Sequence, residues 1–314
     1  MDRKVLVTGA AGFIGSAVVR ELSSSGTPVV AVDALLGGLY PPDEKVHRFS
    51  ELSKLPSVQT HQLDLRFDDL SILGQDITHV INEAAMPGLG LSWSDFELYS
   101  SCNINAVARL IDAAQSWPIE RFVQISTSSV YGKTAVGDEA QPTHPVSPYG
   151  ATKLAAEQLI LAHWRDRAFP ATILRYFSVF GPGQRPDMAY RKFISKALAN
   201  EEIHVFGDGL QSRSNTYIDD CVSATISAID KGAPGELYNV AGREERSLRE
   251  ALEIIEAEVG KPLNLVFLDR ARGDQDRTFG DSTKAQKMLG FDQSLTLEEG
   301  LAKQVRWQKN SGLY

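Results

Sequence analysis

Short unbroken apolar runs alternate with longer stretches of helical spacing over the first two-thirds of the chain. Val5-Leu6-Val7 is the first run, and Val29-Val30-Ala31-Val32 carries the second to Asp33. Runs this short and apolar throughout read as strands buried on both faces. Further strands are expected at 58–63, 79–82, 121–126 and 172–175, which carry more polar residues. Between them, 13–22, 96–116 and 148–163 repeat apolar residues at helical intervals. Strand–helix alternation of this kind predicts an α/β fold with a doubly wound parallel sheet. After about Tyr176 the pattern loosens, and Gly181-Pro182-Gly183 and Gly207-Asp208-Gly209 signal loops. The reading is therefore two discontinuous units. A sheet unit takes 1–176 plus about 216–241, with the chain returning near 237–240. A smaller α/β lobe takes 177–215 and 242–314.

The first strand runs into Thr8-Gly9-Ala10-Ala11-Gly12-Phe13-Ile14-Gly15. Gly9 permits a tight turn, Gly12 a close approach of backbone to a pyrophosphate, and Gly15 close packing of helix on strand. The helix N-terminus then offers free N–H groups to an anion. Asp33 ends the second strand, where a carboxylate accepts hydrogen bonds from the adenosine ribose and repels a 2′-phosphate. These features predict a Rossmann-type nucleotide site, with NAD favoured over NADP. Asp64 and Leu65, after the third strand, are candidates for the adenine end, with a helix cap as the alternative for Asp64.

Tyr149 and Lys153 lie four residues apart in a predicted helix, on one face and a turn from each other. An ammonium beside a phenol favours the phenolate, which lowers the tyrosine pKa and makes it a general base. The spacing alone is common in helices; its weight comes from following a dinucleotide-type glycine turn.

Composition narrows the partners. A net charge of −8 over 314 residues argues against a general nucleic-acid surface. Cys102 and Cys221 are the only cysteines, far apart, which fits a reduced cytoplasmic compartment. The six histidines are scattered with no ligand spacing, so no metal is expected. The apolar run at the start is too short for a signal peptide or a membrane span.

Together with Asn82-Glu83-Ala84-Ala85, Asn103, the Ser/Thr run before Val130-Tyr131-Gly132, and the segment from Arg175 to Pro182, these motifs resemble the extended short-chain dehydrogenase/reductases. The likeness is to the branch of nucleotide-sugar epimerases and dehydratases and spans nearly the whole chain. It implies that Tyr149 is the acid/base, that Lys153 holds the nicotinamide ribose, and that Thr127 assists at the sugar hydroxyl. It implies cofactor contacts from Gly9, Gly12, Phe13, Ile14, Gly15, Asp33, Asp64, Leu65, Ala84, Ala85, Asn103 and Tyr176. It also implies a homodimer through the helices at 96–116 and 148–163.

The same resemblance bears on the reaction. Dehydratases of this branch carry Thr-Asp-Glu after the fifth strand, and decarboxylases a glutamate at its third position. Here the triplet is Thr127-Ser128-Ser129, with no carboxyl group for elimination, which leaves epimerisation. The run Gly183-Gln184-Arg185-Pro186-Asp187-Met188-Ala189 is similar to that of UDP-glucuronate 4-epimerases. There Arg185 would grip a sugar carboxylate in a two-pronged hydrogen bond, aided by Ser128 and Ser129. Ser178, Val205, Arg213 and Asp274 complete the implied UDP-sugar contacts, with Arg213 at the diphosphate and Asp274 at the uridine ribose. Departures are Ser178 for the usual Asn, Ala271 for a common Arg flanked here by Arg270 and Arg272, and Ser214-Asn215 for Asp-Phe. A UDP-glucose/UDP-galactose epimerase, a 4-ketoreductase and a non-catalytic dinucleotide sensor remain as alternatives.

Overall fold

A computed structural model describes residues 3–269 and 274–312. Seven parallel strands form the central sheet: Val5–Thr8, Val29–Asp33, Val58–Gln62, His79–Asn82, Arg121–Thr127, Ala171–Tyr176 and Leu237–Val240. Numbered along the chain, their order across the sheet is 3-2-1-4-5-6-7. The crossover between strands three and four leaves a crevice at the C-terminal ends of strands one and four, where ligands bind in such sheets. The edge strand Val58–Gln62 is mostly polar and only partly buried, whereas the inner strands match the apolar runs because helices cover both faces there and leave no solvent side to alternate toward. The first strand, for example, is buried at every position.

The helices are α1 (Phe13–Ser24), α2 (Asp43–Leu52), α3 (Phe96–Ser100), α4 (Ala106–Ala114), α5 (Pro148–Arg167), α6 (Ala189–Ala199), α7 (Ile218–Lys231), α8 (Leu248–Val259), α9 (Thr283–Leu289) and α10 (Leu297–Ser311). α1 and α7 pack together with strands one, two and seven, through Val18, Val19, Leu22, Cys221 and Ala228. α4 and α5 cover the other side through Leu110, Ile111, Ile160 and Leu161. Serine starts α5: Ser147 accepts from the Gly150 N–H and Pro148 occupies the first turn, so Tyr149 is fixed one residue inside the helix.

Two features differ from the sequence reading. The single helix expected at 96–116 is interrupted by a π-helical turn at Ser101–Asn105. Asn103 is the reason: its Oδ1 accepts from the Met86 N–H at 2.7 Å, and its Nδ2 donates to Met86 O and Thr152 Oγ1, both at 3.0 Å. The extra residue in that turn brings the amide to these partners. Thr134–Gly137, inside the expected sheet unit, instead pairs in parallel with Arg277–Gly280 in a separate four-stranded sheet. It fills the open edge beside that C-terminal strand, so the boundary drawn at 176 is too simple.

A charged latch joins α2 to the segment that follows the sixth strand. Arg191 on α6 donates to both carboxylate oxygens of Glu44 at 2.6 and 2.8 Å. Arg48 reaches the same carboxylate at 3.2 Å and Gly183 O at 2.8 Å. Among the described residues no helix is long and apolar enough to cross a membrane.

Candidate active site

A cavity of about 460 Å³ runs from the glycine turn to the segments that follow the fifth and sixth strands. That size suits a small-molecule site. At one end the turn is built for close backbone approach. A Cβ on Gly15 would lie 2.3 Å from Gly9 O, and Gly9 itself has φ +66. Gly12 caps α1 without a side-chain acceptor, so the first-turn N–H groups are left for a ligand. Asp33 sits beside them, its Oδ2 accepting from Ala11 N–H at 3.0 Å and its Oδ1 from Leu35 N–H at 2.8 Å. Burial pushes the Asp33 carboxyl up, while the Lys45 charge and both N–H groups pull it back part of the way. Asp64 and Leu65 also line this end. Asp64 is held in its charged form, chiefly through hydrogen bonds from Arg66, which forks onto both its oxygens. A glycine cradle, an uncapped helix start and a carboxylate at the second strand's end fit the pyrophosphate and adenosine half of a dinucleotide.

Thr127, Tyr149 and Lys153 meet at the other end. The expectation that Lys153 would lower the Tyr149 pKa does not hold in this structure. Burial pushes the phenol up, against a hydrogen bond from Thr127 and the charge of Arg185, and Glu83 adds to the rise. Lys153 Nζ donates instead to Ile125 O at 2.6 Å, at the end of the fifth strand. Burial lowers the lysine to about 8, against the nearby charges of Glu83 and Glu157. The tyrosine ring is braced edge-on by Tyr99, with centroids 6.2 Å apart.

The carboxyl-free triplet forms a shelf above these groups. Ser129 N–H donates to Thr127 Oγ1 at 3.2 Å. Gln275, which the sequence reading missed, anchors the shelf from far along the chain. Its Nε2 donates to Ser128 O at 3.2 Å and Gly132 O at 2.8 Å, and its Oε1 accepts from Ser128 Oγ at 3.3 Å. Arg185 faces the same space, but its fork is already engaged: Nε and Nη2 donate to Asp187 at 2.9 and 2.8 Å. Burial opposes the Arg185 charge, and Asp187 more than offsets it, so the guanidinium stays above its ordinary range. Arg213 and Asp274 form an ion pair at 2.9 Å in the cavity wall, with Ser178 nearby.

A scan against family models matches residues 5–241 to the NAD dependent epimerase/dehydratase family. The chain belongs to that family. A UDP-glucuronate 4-epimerase of Thermodesulfobacterium geofontis is 33% identical, the match covering 98% of this chain and 96% of the relative. An uncharacterised UDP-glucose epimerase of Bacillus subtilis is 36% identical over 97% of each. The crystal structure of UDP-glucuronic acid 4-epimerase from Bacillus cereus, in complex with UDP-glucuronic acid and NAD, superposes with a TM-score of 0.95. It is 38% identical, over 99% of this chain and all of that one.

Within this NAD-dependent family chain, Gly9, Gly12, Phe13, Ile14, Gly15, Ala84, Ala85 and Tyr176 line the cavity with the residues above. Two expected contacts do not. Asn103 is 1% exposed and its amide is used up in bracing Met86 and Thr152. Val205 lies in Ile203–Phe206, where alternate residues point inward, and period two buries it in the core with Ile203. Arg270 and Arg272 lie outside the described residues. Besides Gln275, the sequence reading missed Tyr40, Lys45 and Glu83. The Tyr-Pro-Pro turn and the first turn of α2 carried a weak signal for the first two. Glu83 stood in plain view within a quoted motif, as a charged residue among apolar ones. Among the described residues no group of three His, Cys, Asp or Glu is placed to hold a metal.

Proposed function

We propose that this chain interconverts UDP-glucuronate and UDP-galacturonate by epimerisation at C4. The observation that carries this reading is Arg185 held beside Tyr149 over the carboxyl-free shelf Thr127-Ser128-Ser129. Tyr149 is the group that takes the C4 hydroxyl proton, with Thr127 beside it in the cavity wall favouring the phenolate. Bound NAD supplies the hydride acceptor and donor, and is regenerated in each turnover. Lys153, its ammonium positioned by Ile125 O, holds the nicotinamide ribose. The 4-keto sugar then turns about its diphosphate link, which Arg213 holds while Asp274 meets the uridine ribose, and presents its other face. Its carboxylate is β to the ketone and prone to leave as CO₂. Arg185, Ser128 and Ser129 keep the breaking bond out of line with the carbonyl, and positions 128 and 129 lack the carboxyl groups that dehydratases of this branch carry there for elimination.

A UDP-glucose/UDP-galactose epimerase is the second reading. It is favoured by the Asp187 carboxylate, which already fills the Arg185 fork, and by the likeness to the Bacillus subtilis UDP-glucose epimerase. NMR analysis of products from UDP-glucuronate and, separately, from UDP-glucose decides between them. UDP-galacturonate from the first, with no net NADH, is expected; turnover of UDP-glucose alone refutes the acid-sugar reading. Tyr149→Phe abolishes turnover and leaves NAD bound. We further propose a homodimer through α3, α4 and α5, near which Trp93 and Phe96 are exposed; sedimentation at the monomer mass excludes it.

A further inference from the structure

Glu83 is a carboxyl group in the cavity that the epimerisation chemistry leaves unused. It directly follows the fourth strand and lines the cavity with Ala84, Tyr149 and Lys153. Its Oε1 accepts from the Tyr176 hydroxyl at 2.8 Å. That hydroxyl also meets Thr225 Oγ1 at 2.6 Å, and Thr225 in turn donates to Cys221 O at 2.6 Å. Oε2 has no hydrogen-bond partner among the described residues. The groups that act on the carboxyl are Tyr176 on the sixth strand, Lys153 and Tyr149 on α5, and Cys221 on α7. Lys153 is the one cation among these four, and its ammonium is turned to Ile125 O rather than bonded to the carboxylate.

Glu83 is partly buried in the cavity wall, and a carboxylate with little water, one neutral donor and no bonded cation is costly. Burial accordingly pushes Glu83 up to about 7. A cation arriving in the cavity relieves that cost. The oxidised nicotinamide ring is such a cation, and the reduced ring is neutral. We propose that Glu83 is the counter-charge to the oxidised nicotinamide and biases the bound cofactor toward NAD over NADH. The charge of Lys153 pulls the other way, so the pair sets the balance between the two forms. The bias favours return of the hydride to the keto sugar over stranding of the enzyme in its reduced form. The inference rests on the reading that the nicotinamide end of NAD lies at Tyr149 and Lys153.

The test uses purified holoenzyme as wild type, Glu83→Gln and Glu83→Leu. Each is equilibrated with mixtures of NAD and NADH and freed of unbound cofactor. The bound ratio is then read from the near-ultraviolet absorbance of the dihydronicotinamide. Gln keeps the shape and Leu suits a buried site, so at least one neutral variant folds. Both are expected to shift the bound ratio toward NADH by on the order of tenfold, the effect of one charge at short range in a protein interior. An unchanged ratio in the variants, or equal loss of both cofactor forms as a packing role gives, overturns the proposal alone. Wild-type protein that holds neither form overturns the reading of the cavity as well.

Discussion

Replacing Arg185 by glutamine separates the two sugars, and the structure gives the size of the effect. Arg185 and Asp187 are 19% and 14% exposed at their side chains, so both charges are largely out of water. A hydrogen bond to a charged group contributes about 1.5–3 kcal/mol net. Loss of one such bond to the sugar carboxylate lowers kcat/KM for UDP-glucuronate by roughly ten- to 150-fold. The variant also leaves Asp187 unpaired, which adds repulsion toward the same carboxylate. UDP-glucose has no carboxylate and loses neither term. Both sugars share one further penalty, because the Arg185 charge lowers the Tyr149 pKa and its removal shifts that base upward. The discriminating quantity is therefore the quotient of the two kcat/KM values, from product formation at low substrate. The double variant Arg185→Gln, Asp187→Asn removes the stranded carboxylate and recovers part of the UDP-glucuronate loss, while UDP-glucose turnover stays as in the single variant, since Asp187 does not act on Tyr149. An unchanged quotient in the single variant refutes the assignment of Arg185 as the reader of the acid.

Gly15→Ala forces a Cβ to within 2.3 Å of the Gly9 carbonyl oxygen, so protein recovered after gel filtration should carry no bound NAD. Glu157→Gln strands Arg175, whose ion pair at 2.6 Å is almost wholly buried; a loss of about 3–5 kcal/mol is expected from urea titration. Glu83→Gln removes an anion that opposes the Tyr149 phenolate, so the tyrosine pKa falls and the acid limb of kcat/KM moves to lower pH. An unmoved or rising limb contradicts that coupling.

How much of this was legible in the sequence depended on the reach of each interaction. The inner strands could be read because a doubly covered parallel strand needs apolar residues along its length, a condition local to runs such as Val29–Asp33. Thr134–Gly137 could not, since its partner Arg277–Gly280 lies far along the chain. The π turn at Asn103 was hidden for the same reason: apolar spacing continues through it, and only Met86 and Thr152 explain it. The glycine turn and the Tyr149/Lys153 spacing are local and read correctly as cavity residues. The direction of the Tyr149 pKa is set by burial and by Glu83, Thr127 and Arg185, which arrive from other strands and loops. Gln275 escaped notice because an isolated glutamine has no pattern until its amide is seen across three backbone and hydroxyl partners.

The Glu44 latch has a consequence in time. It fastens α2, next to the Tyr40 and Lys45 wall, to Gly183 and Arg191 on the segment that carries Arg185. Opening that side of the cavity means parting the almost fully buried Arg191 from both oxygens of Glu44 and Arg48 from the Gly183 carbonyl. Thermal openings of that kind are rare compared with the departure of a sugar nucleotide from the opposite wall. If that seam gates the cofactor, Glu44→Gln should shorten NAD residence, measured by exchange with labelled NAD, while leaving sugar exchange as it was.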